Sequence, residues 1–379
     1  MKFAHISDTH LGQYRSIKER EEDSYNAFRQ TIEKSIEEKV DFVIFAGDIF
    51  DKSNPPNDAV LLMMQQLMLL KEKGIQSYFI LGDHDQPKVE QNPIHWLYKM
   101  TGFAHHLDYQ EEGPVKFKDV LLIGFDHHGD GKDVEELMTK FNEIDLVAKE
   151  HVGHKILVLH QPLTEVHYHA AKGSGLSAND LPKNFTYYAI GDIHKNYEKK
   201  YEFLGGPLVY PGSIEISSTE PIKESPKGFY IIDISTDEAI PKWVELDLRP
   251  RFEIETDAKD LHNTIIELIA KIDDTRKPLV SLNIKYQDWD EIKLEIGLLK
   301  EYVLDYSINM QKDEKQYPLS VSESGNIDDE FRRLATKNVG EALAILAFDK
   351  IYPALNENKQ EVKQVIIKNF EDYKKEKQK

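Results

Sequence analysis

The chain has 379 residues, with 48 Lys and Arg against 67 Asp and Glu, a formal charge of −19 and no cysteine. That length predicts two or three structural units with ample material for a core. The absence of cysteine excludes a disulfide framework and any Cys-ligated zinc site, and the acidic balance argues against a free-standing, sequence-independent binder of duplex DNA.

In chain order, residues 3–6 form a β-prone apolar run, followed by a predicted helix over 19–38 with Tyr25, Phe28, Ile32 and Ile36 on one face. A second run, 41–45, precedes a helix over 57–73 that Gly74 closes in the C′ position glycine favours. That helix carries Val60, Leu61, Leu62, Met63, Met64, Leu67, Met68, Leu69 and Leu70, more apolar residues than one face packed on a sheet can absorb. Ile94, Trp96, Leu97 and Met100 offer a second apolar element. Further runs at 77–81, 121–125, 155–159 and 187–190 have the continuous apolar character of strands buried on both faces. Strands, helices and strands in alternation read as a layered α/β sheet. Residues 206–213 and 228–234 look like its late strands. After a connection at 248–251, a strand (252–254), a helix (260–272), a strand (279–284) and a charged helix (289–299) predict a small α/β domain. A polar stretch over 322–329 leads into helical sequence, where Val362, Val365, Ile366 and Phe370 form an apolar stripe before a lysine-rich terminus. The chain opens directly on strand-like sequence, without a signal core, and no long apolar run follows; the expectation is a cytoplasmic protein with no membrane span.

Five of the apolar runs end in Asp or His: Ile6-Ser7-Asp8-Thr9-His10, Gly47-Asp48-Ile49-Phe50-Asp51, Gly82-Asp83-His84-Asp85, Leu159-His160-Gln161 and Gly191-Asp192-Ile193-His194. A single Gly-Asp pair is an ordinary turn. Five strand ends aimed at one crevice can instead gather distant carboxylates and imidazoles into a two-metal hydrolytic site. Two divalent ions about 3.5 to 4 Å apart need one bridging carboxylate, and Asp48 is the natural candidate. Other histidines carry less: His127 and His128 follow a strand end and could approach substrate at the same rim, but read better as exposed loop residues, as do His105, His106, His151, His154, His167 and His169. Arg15, Lys52 and Lys88 lie just beyond the ligand motifs, where a cation could meet phosphates, yet isolated basic residues are usually plain surface.

The order Asp-x-His, Gly-Asp-x-x-Asp, Gly-(Asn/Asp)-His-Asp, lone His and Gly-x-x-His resembles the calcineurin-like metallophosphoesterases. Within them, residues 5–12, Gly47 to Asp51 with Pro55-Pro56, and Tyr210-Pro211-Gly212-Ser213 are similar to the SbcD or meiotic-recombination-eleven type of DNA repair nuclease. The resemblance is strong over about the first 245 residues, mostly positional in the small middle domain, and limited to order and character beyond. It implies a layered calcineurin-like core (1–248), a small α/β capping domain that binds DNA (249–318) and a helical segment (319–379) that docks on an SbcC or Rad-fifty type coiled-coil ATPase. By the same resemblance the first metal takes Asp8, His10, Asp48 and His194, and the second takes Asp48, Asp83, His160 and Asp192. His84 then contacts the scissile phosphate or protonates the leaving oxygen, and the carboxylate of Asp51 orients His84; the alternative for Asp51 is a helix cap or turn residue before the prolines. The implied activity is exonuclease and endonuclease processing of double-strand breaks with two divalent cations, Mn²⁺ first among them, by a homodimer paired through helices at 57–73 and 93–101. Two other readings remain open, a phosphodiesterase of the same fold acting on a small or protein substrate, and a scaffold with weakened chemistry. Two departures fall on the second metal, because the family usually has Asn where this chain has Asp83 and His where it has Asp192. They make that site oxygen-rich, suited to Mn²⁺ or Mg²⁺ more than to zinc, or else mark its loss.

Overall fold

The structure, a computed structural model, describes residues 1–312 apart from 90, 130–131, 167–174, 219, 224, 273–275 and 287–289. The expected ATPase-docking segment with its stripe at Val362, Val365, Ile366 and Phe370, together with His167 and His169, lies outside the described residues. No described helix is long and apolar enough to cross a membrane.

One six-stranded sheet is built on β1 (Lys2–Ile6), β2 (Phe42–Ala46), β3 (Gln76–Ile80) and the short β4 (His105–His106). The first three run parallel, and α1 (Lys18–Glu37) and α2 (Asn57–Glu72) make the crossovers between them. Both helices stop in the same way, with a left-handed residue at C′: Lys39 after α1 and Gly74 after α2. The amides that follow bond back to the last turn, Val40 N–H to Ser35 and Ile75 N–H to Leu70. Past α3 (Trp96–Met100) and α4 (Tyr109–Glu112), the chain enters a second six-stranded sheet. It holds β5 (Val115–Phe117), β6 (Val120–Gly124), β7 (Lys155–His160), β8 (Tyr187–Gly191), β9 (Tyr197–Lys200) and β10 (Pro207–Tyr210), with α5 (Lys132–Glu150) as a crossover. Two antiparallel strands, β11 (Gly228–Asp233) and β12 (Ile240–Glu245), return to the first sheet beside β1.

The sequence suggests a layered sheet, and the structure resolves it into two sheets packed face to face with helices outside. Between them lies a dry layer that includes Phe3, Phe42, Ile44, Tyr78 and Ile80 from one sheet and Leu122, Ile156, Val158, Tyr187 and Val209 from the other. Both faces of each sheet are covered, which is why β2, β6 and β8 are buried at every position and read as continuous apolar runs. The helical layers bury Tyr25, Phe28, Ile32, Leu62, Met63 and Leu67 on one side and Leu137, Phe141 and Ile144 on the other.

Beyond Pro250, a three-stranded parallel sheet comprises β13 (Arg251–Asp257), β14 (Leu279–Tyr286) and β15 (Asp305–Lys312). It has its own core of Leu261, Ile265, Val280, Leu282, Ile284 and Leu299, supplied with α6 (Leu261–Ile269) and α7 (Asp290–Tyr302). Residues 1–312 nevertheless form one compact unit. Arg249 grips both carboxylate oxygens of Asp23 on α1, at 2.6 and 2.9 Å, and donates to the Lys277 carbonyl at 2.7 Å.

The inter-sheet layer is aromatic at its centre: Phe42 stacks on Phe3 with ring centroids 4.9 Å apart and meets Tyr78 edge-on at 5.9 Å. Phe42→Ala leaves a cavity no neighbour can close, so urea unfolding should show a loss of about 3–5 kcal/mol.

Candidate metal centre

Every strand run that ends in Asp or His delivers its residue to the same end of the two sheets. Asp8 and His10 follow β1, Asp48 follows β2, Asp83 and His84 follow β3, His160 is the last residue of β7, and Asp192 and His194 follow β8. The strand ends are stitched together by main-chain bonds: Asp8 N–H to Gly47, His10 N–H to Asp48 and Leu11 N–H to Ile49. Among the bonds that cross from one sheet to the other are His160 Nδ1 to the Ala46 carbonyl at 2.8 Å and Asp192 N–H to Asp8 Oδ1 at 3.1 Å.

Such convergence requires unusual backbone. Asp8, His10, Asp48 and Asp192 all have positive φ, of 52°, 42°, 51° and 93°, in a region that side chains bearing a Cβ rarely adopt. Gly47, at φ 86°, permits the turn before Asp48. Gly82 contributes space instead. A Cβ there would strike the Asp48 carboxylate, so the volume its missing side chain leaves open is the volume Asp48 fills.

A residue within one of these motifs holds the turns in place. Asp85, fully buried, accepts hydrogen bonds from the amides of Ile49 (3.1 Å), Phe50 (3.0 Å) and Gly82 (3.1 Å), and His95 Nε2 lies 3.2 Å away. Burial opposes ionisation there, but His95 and these amides outweigh it and hold the carboxyl below its ordinary range. Neither Asp85 nor His95 is a residue the sequence pattern singles out, although Asp85 stands in the Gly82-Asp83-His84-Asp85 string.

Two groups of ligating atoms flank Asp48, each drawn together within 4.8 Å: Asp8, His10 and His194 on one side, Asp83, His160 and Asp192 on the other. His10 Nε2 and His194 Nε2 face each other at 3.0 Å, and Asp48 Oδ2 lies 3.6 Å from His10 Nε2 and 3.5 Å from His160 Nε2. His160 Nδ1 donates to a carbonyl, so Nε2 is the nitrogen that faces the carboxylates and offers its lone pair once deprotonated. This Nε2 and Asp8 Oδ2 are buried with no hydrogen-bond partner. Buried acceptors turned toward one another are costly unless a cation lies between them, so the donor set fits divalent metal on both sides. The oxygen share is higher around His160, where Asp83 and Asp192 stand 3.5 and 4.0 Å from Nε2. No Lys or Arg among the described residues pairs with either carboxylate; His160 is the cationic group beside both.

The electrostatics follow from the crowding. Burial, with Asp8, Asp83 and Asp48 adding to it against His160, pushes the Asp192 carboxyl up to about 7. Burial acts the same way on Asp83, but His160, His127 and His84 overcome it and bring that group below its ordinary value. Burial also lowers His10, whereas around His160 the charges of Asp48, Asp83 and Asp8 defeat burial and raise the imidazole well above its usual range.

His84 stands apart from the two groups, exposed at the rim and edge-on to the His10 ring at 4.9 Å. Its Nδ1 bonds to the main-chain carbonyl of Asp51 at 2.6 Å. This corrects the expected pairing with the Asp51 carboxylate: residue 51 orients the ring through its peptide oxygen, because the turn after β2 brings the backbone under the imidazole. The ring is held above the ordinary imidazole pKa against burial, by that carbonyl and by the charges of Asp48 and Asp83.

Three of the other histidines depart from the exposed-loop reading, whereas His105 is exposed, on β4. His106 is buried against Asp126 at 2.9 Å, and His154 is buried between Thr186 Oγ1 and the Thr236 carbonyl. His127 is half-buried, with Nδ1 on the carbonyl of His160 at 3.0 Å. Arg15 is engaged by the carbonyls of Gly12 and Asn54.

Paired acidic and imidazole clusters about one carboxylate, at the carboxyl ends of parallel strands in two facing sheets, fit one class: a metallophosphoesterase. The model of the calcineurin-like phosphoesterase family matches residues 1–196, just over half of the chain. The "DNA double-strand break repair protein Mre11" of Methanocaldococcus jannaschii is 34% identical over 320 residues, covering 80% of this chain and 83% of that protein. The protein of the same name from Thermoplasma acidophilum is 34% identical over 294 residues, 74% of this chain and 76% of its own length. The chain belongs to the Mre11/SbcD type of the calcineurin-like phosphoesterase family.

A carboxyl group titrating near 7 must lose its proton to ligate a metal. Calorimetry of Mn²⁺ binding in buffers of different ionisation enthalpy should therefore show more protons released at pH 6 than at pH 8.5, and Asp192→Asn should reduce that difference by up to about one proton, the raised imidazoles of His160 and His194 supplying the rest.

Proposed function

We propose that the protein is a two-metal DNA nuclease that processes double-strand breaks. The observation that carries this reading is the pair of ligand groups on either side of Asp48, with His84 exposed beside His10 and Asp48 and its Nδ1 held by the Asp51 carbonyl. Asp8, His10 and His194 would hold one cation, Asp83, His160 and Asp192 the other, and Asp48 would serve both. Bound divalent cations, Mn²⁺ by the oxygen-rich donor set, supply Lewis acidity toward a phosphodiester and lower the pKa of an attacking water. The carboxylates around them take no part in proton transfer while ligating; they fix where the phosphate sits. His84 acts on the leaving side. With Nδ1–H donated to the Asp51 carbonyl, its Nε2 is the atom that would carry the proton delivered to the departing oxygen. The names of the Methanocaldococcus and Thermoplasma relatives support DNA breaks as the substrate. The convergence of Asp83, His160 and Asp192 on one point, with no Lys or Arg among the described residues between them, favours a working second site over a vestigial one.

The acidic chain needs a source of positive charge to hold duplex DNA, and an SbcC or Rad-fifty type ATPase docked on residues 319–379 would provide a large partner surface. The small α/β module over 249–318 would cap the DNA. Self-association would use α2 and α3: Leu61 and Met68, seven residues apart on α2, are 54% and 40% exposed, and Leu97 and Met100 on α3 are 37% and 84% exposed.

Supplied with Mn²⁺ and offered linear and circular DNA beside a chromogenic phosphodiester, the protein should cut DNA. Asp48→Ala should lose cleavage and metal binding together, while His84→Ala keeps both metals and loses about 10²- to 10⁴-fold in kcat. Full activity in His84→Ala, or cleavage of the small diester alone, would remove the proposal. Sedimentation should give a dimer at micromolar concentration, and Leu61→Glu with Met100→Glu should convert it to a monomer.

A further inference from the structure

His194 is held from behind by groups that no strand-end motif supplies. Its Nδ1 lies 3.3 Å from Glu220 Oε2, while its main-chain oxygen accepts from Lys227 Nζ at 3.2 Å and from the Ser213 amide at 3.1 Å. These groups also bind one another. Lys227 Nζ donates to Glu220 Oε1 at 2.7 Å and to Ser213 Oγ at 2.6 Å, and Ser213 Oγ donates to Glu220 Oε2 at 3.1 Å. The Ser217 amide adds a further bond to Glu220 Oε2 at 2.7 Å. The result is a closed ring around one ligand, in which a buried ammonium, a carboxylate and a hydroxyl each have several partners.

We infer that Glu220 is a positioning residue that fixes His194 in the tautomer and ring orientation needed to present Nε2 to the first cation, with Lys227 holding Glu220 in place. An imidazole has one N–H in its neutral form, and a carboxylate at Nδ1 claims it, so the lone pair resides on Nε2. That Nε2 is the atom facing His10 Nε2 at 3.0 Å, with Asp8 Oδ1 at 4.0 Å. His160 achieves the same tautomer differently, by donating Nδ1–H to the Ala46 carbonyl inside the sheet, so the inference separates the two sites. Glu220 therefore serves the first site and leaves the second untouched.

The inference rests on the reading that His194 holds the first cation, and the test distinguishes the two. Mn²⁺ alone is titrated into the full-length protein by calorimetry, with the two binding steps assigned from His194→Ala and His160→Ala. Glu220→Ala should weaken the first site about 10- to 100-fold and leave the second unchanged. Glu220→Gln, whose amide oxygen still accepts from Nδ1–H, should lose less. Metal-free thermal unfolding reports whether each variant is folded, and Lys227→Met should weaken the same site if Glu220→Ala proves unstable. Unchanged first-site affinity in a folded Glu220→Ala, or equal weakening of both sites, would overturn the role of Glu220 while sparing the ligand assignment. If His194→Ala itself leaves both affinities intact, the ligand reading falls and the inference with it.

Discussion

One buried carboxylate underlies the geometry of the site. Asp85 accepts three amides from two different strand exits, those of Ile49 and Phe50 after β2 and of Gly82 after β3. An ionised carboxylate in a dry interior is stable only when its lone pairs are occupied by donors of good geometry, and here the donors belong to the turns that aim Asp48 and Asp83. The arrangement is reciprocal, since the turns satisfy the charge and the charge fixes the turns. It also offsets a local cost. Left-handed backbone at a residue with a side chain costs about 1–3 kcal/mol, and Asp8, His10, Asp48 and Asp192 all adopt it. Such conformations persist because the bonds among Asp8, Gly47, His10, Asp48 and Leu11 leave those residues no alternative.

The two facing sheets divide the ligands between them in a way that joins the halves of the domain. Asp8, His10, Asp48 and Asp83 come from the first sheet, and His160, Asp192 and His194 from the second. Each group of three flanking Asp48 draws on both sheets. A cation in either group would thus cross-link the sheets at the end where hydrogen bonds such as those from His160 Nδ1, the Asp192 amide and the His127 amide already do so. Below that level the sheets are held by apolar and aromatic packing, which sets their separation but does not specify direction. Polar bonds at the rim supply the direction.

Much of this is legible in the sequence, for identifiable reasons. A strand buried on both faces must be apolar throughout, so the first Asp or His after it stands out, and each of the seven candidate ligands is visible in that way. The same rule locates β1, β2, β3, β7 and β8, and Gly74 locates the end of α2. What stays hidden depends on contacts between distant segments. The division into two sheets is a matter of pairing partners, which runs of apolar residues do not encode. Glu220 reaches His194 from 26 positions away, through a turn with no regular periodicity. A sequence displays side chains, so it points to the Asp51 carboxylate, whereas the contribution of that residue is a peptide oxygen. His106 and His154 follow no motif, and their burial arises from Asp126, Thr186 and Thr236.

The empty space at Gly82 separates what can vary in this centre from what cannot. With the Asp48 side chain occupying the volume of a missing Cβ, and with Gly47 and Gly191 similarly pressed against His160, the backbone around the shared carboxylate has no room to adapt. Any change in metal preference must then be made by exchanging side chains where the packing is loose. Asp83, with 47% of its side chain exposed, and Asp192, with 22%, are such positions, whereas Asp8, His10, Asp48 and His160 are sealed. Asp83 is in that sense the ligand whose charge can be reset most readily, whereas Asp192 in one group and His194 in the other, each 22% exposed, share an intermediate freedom.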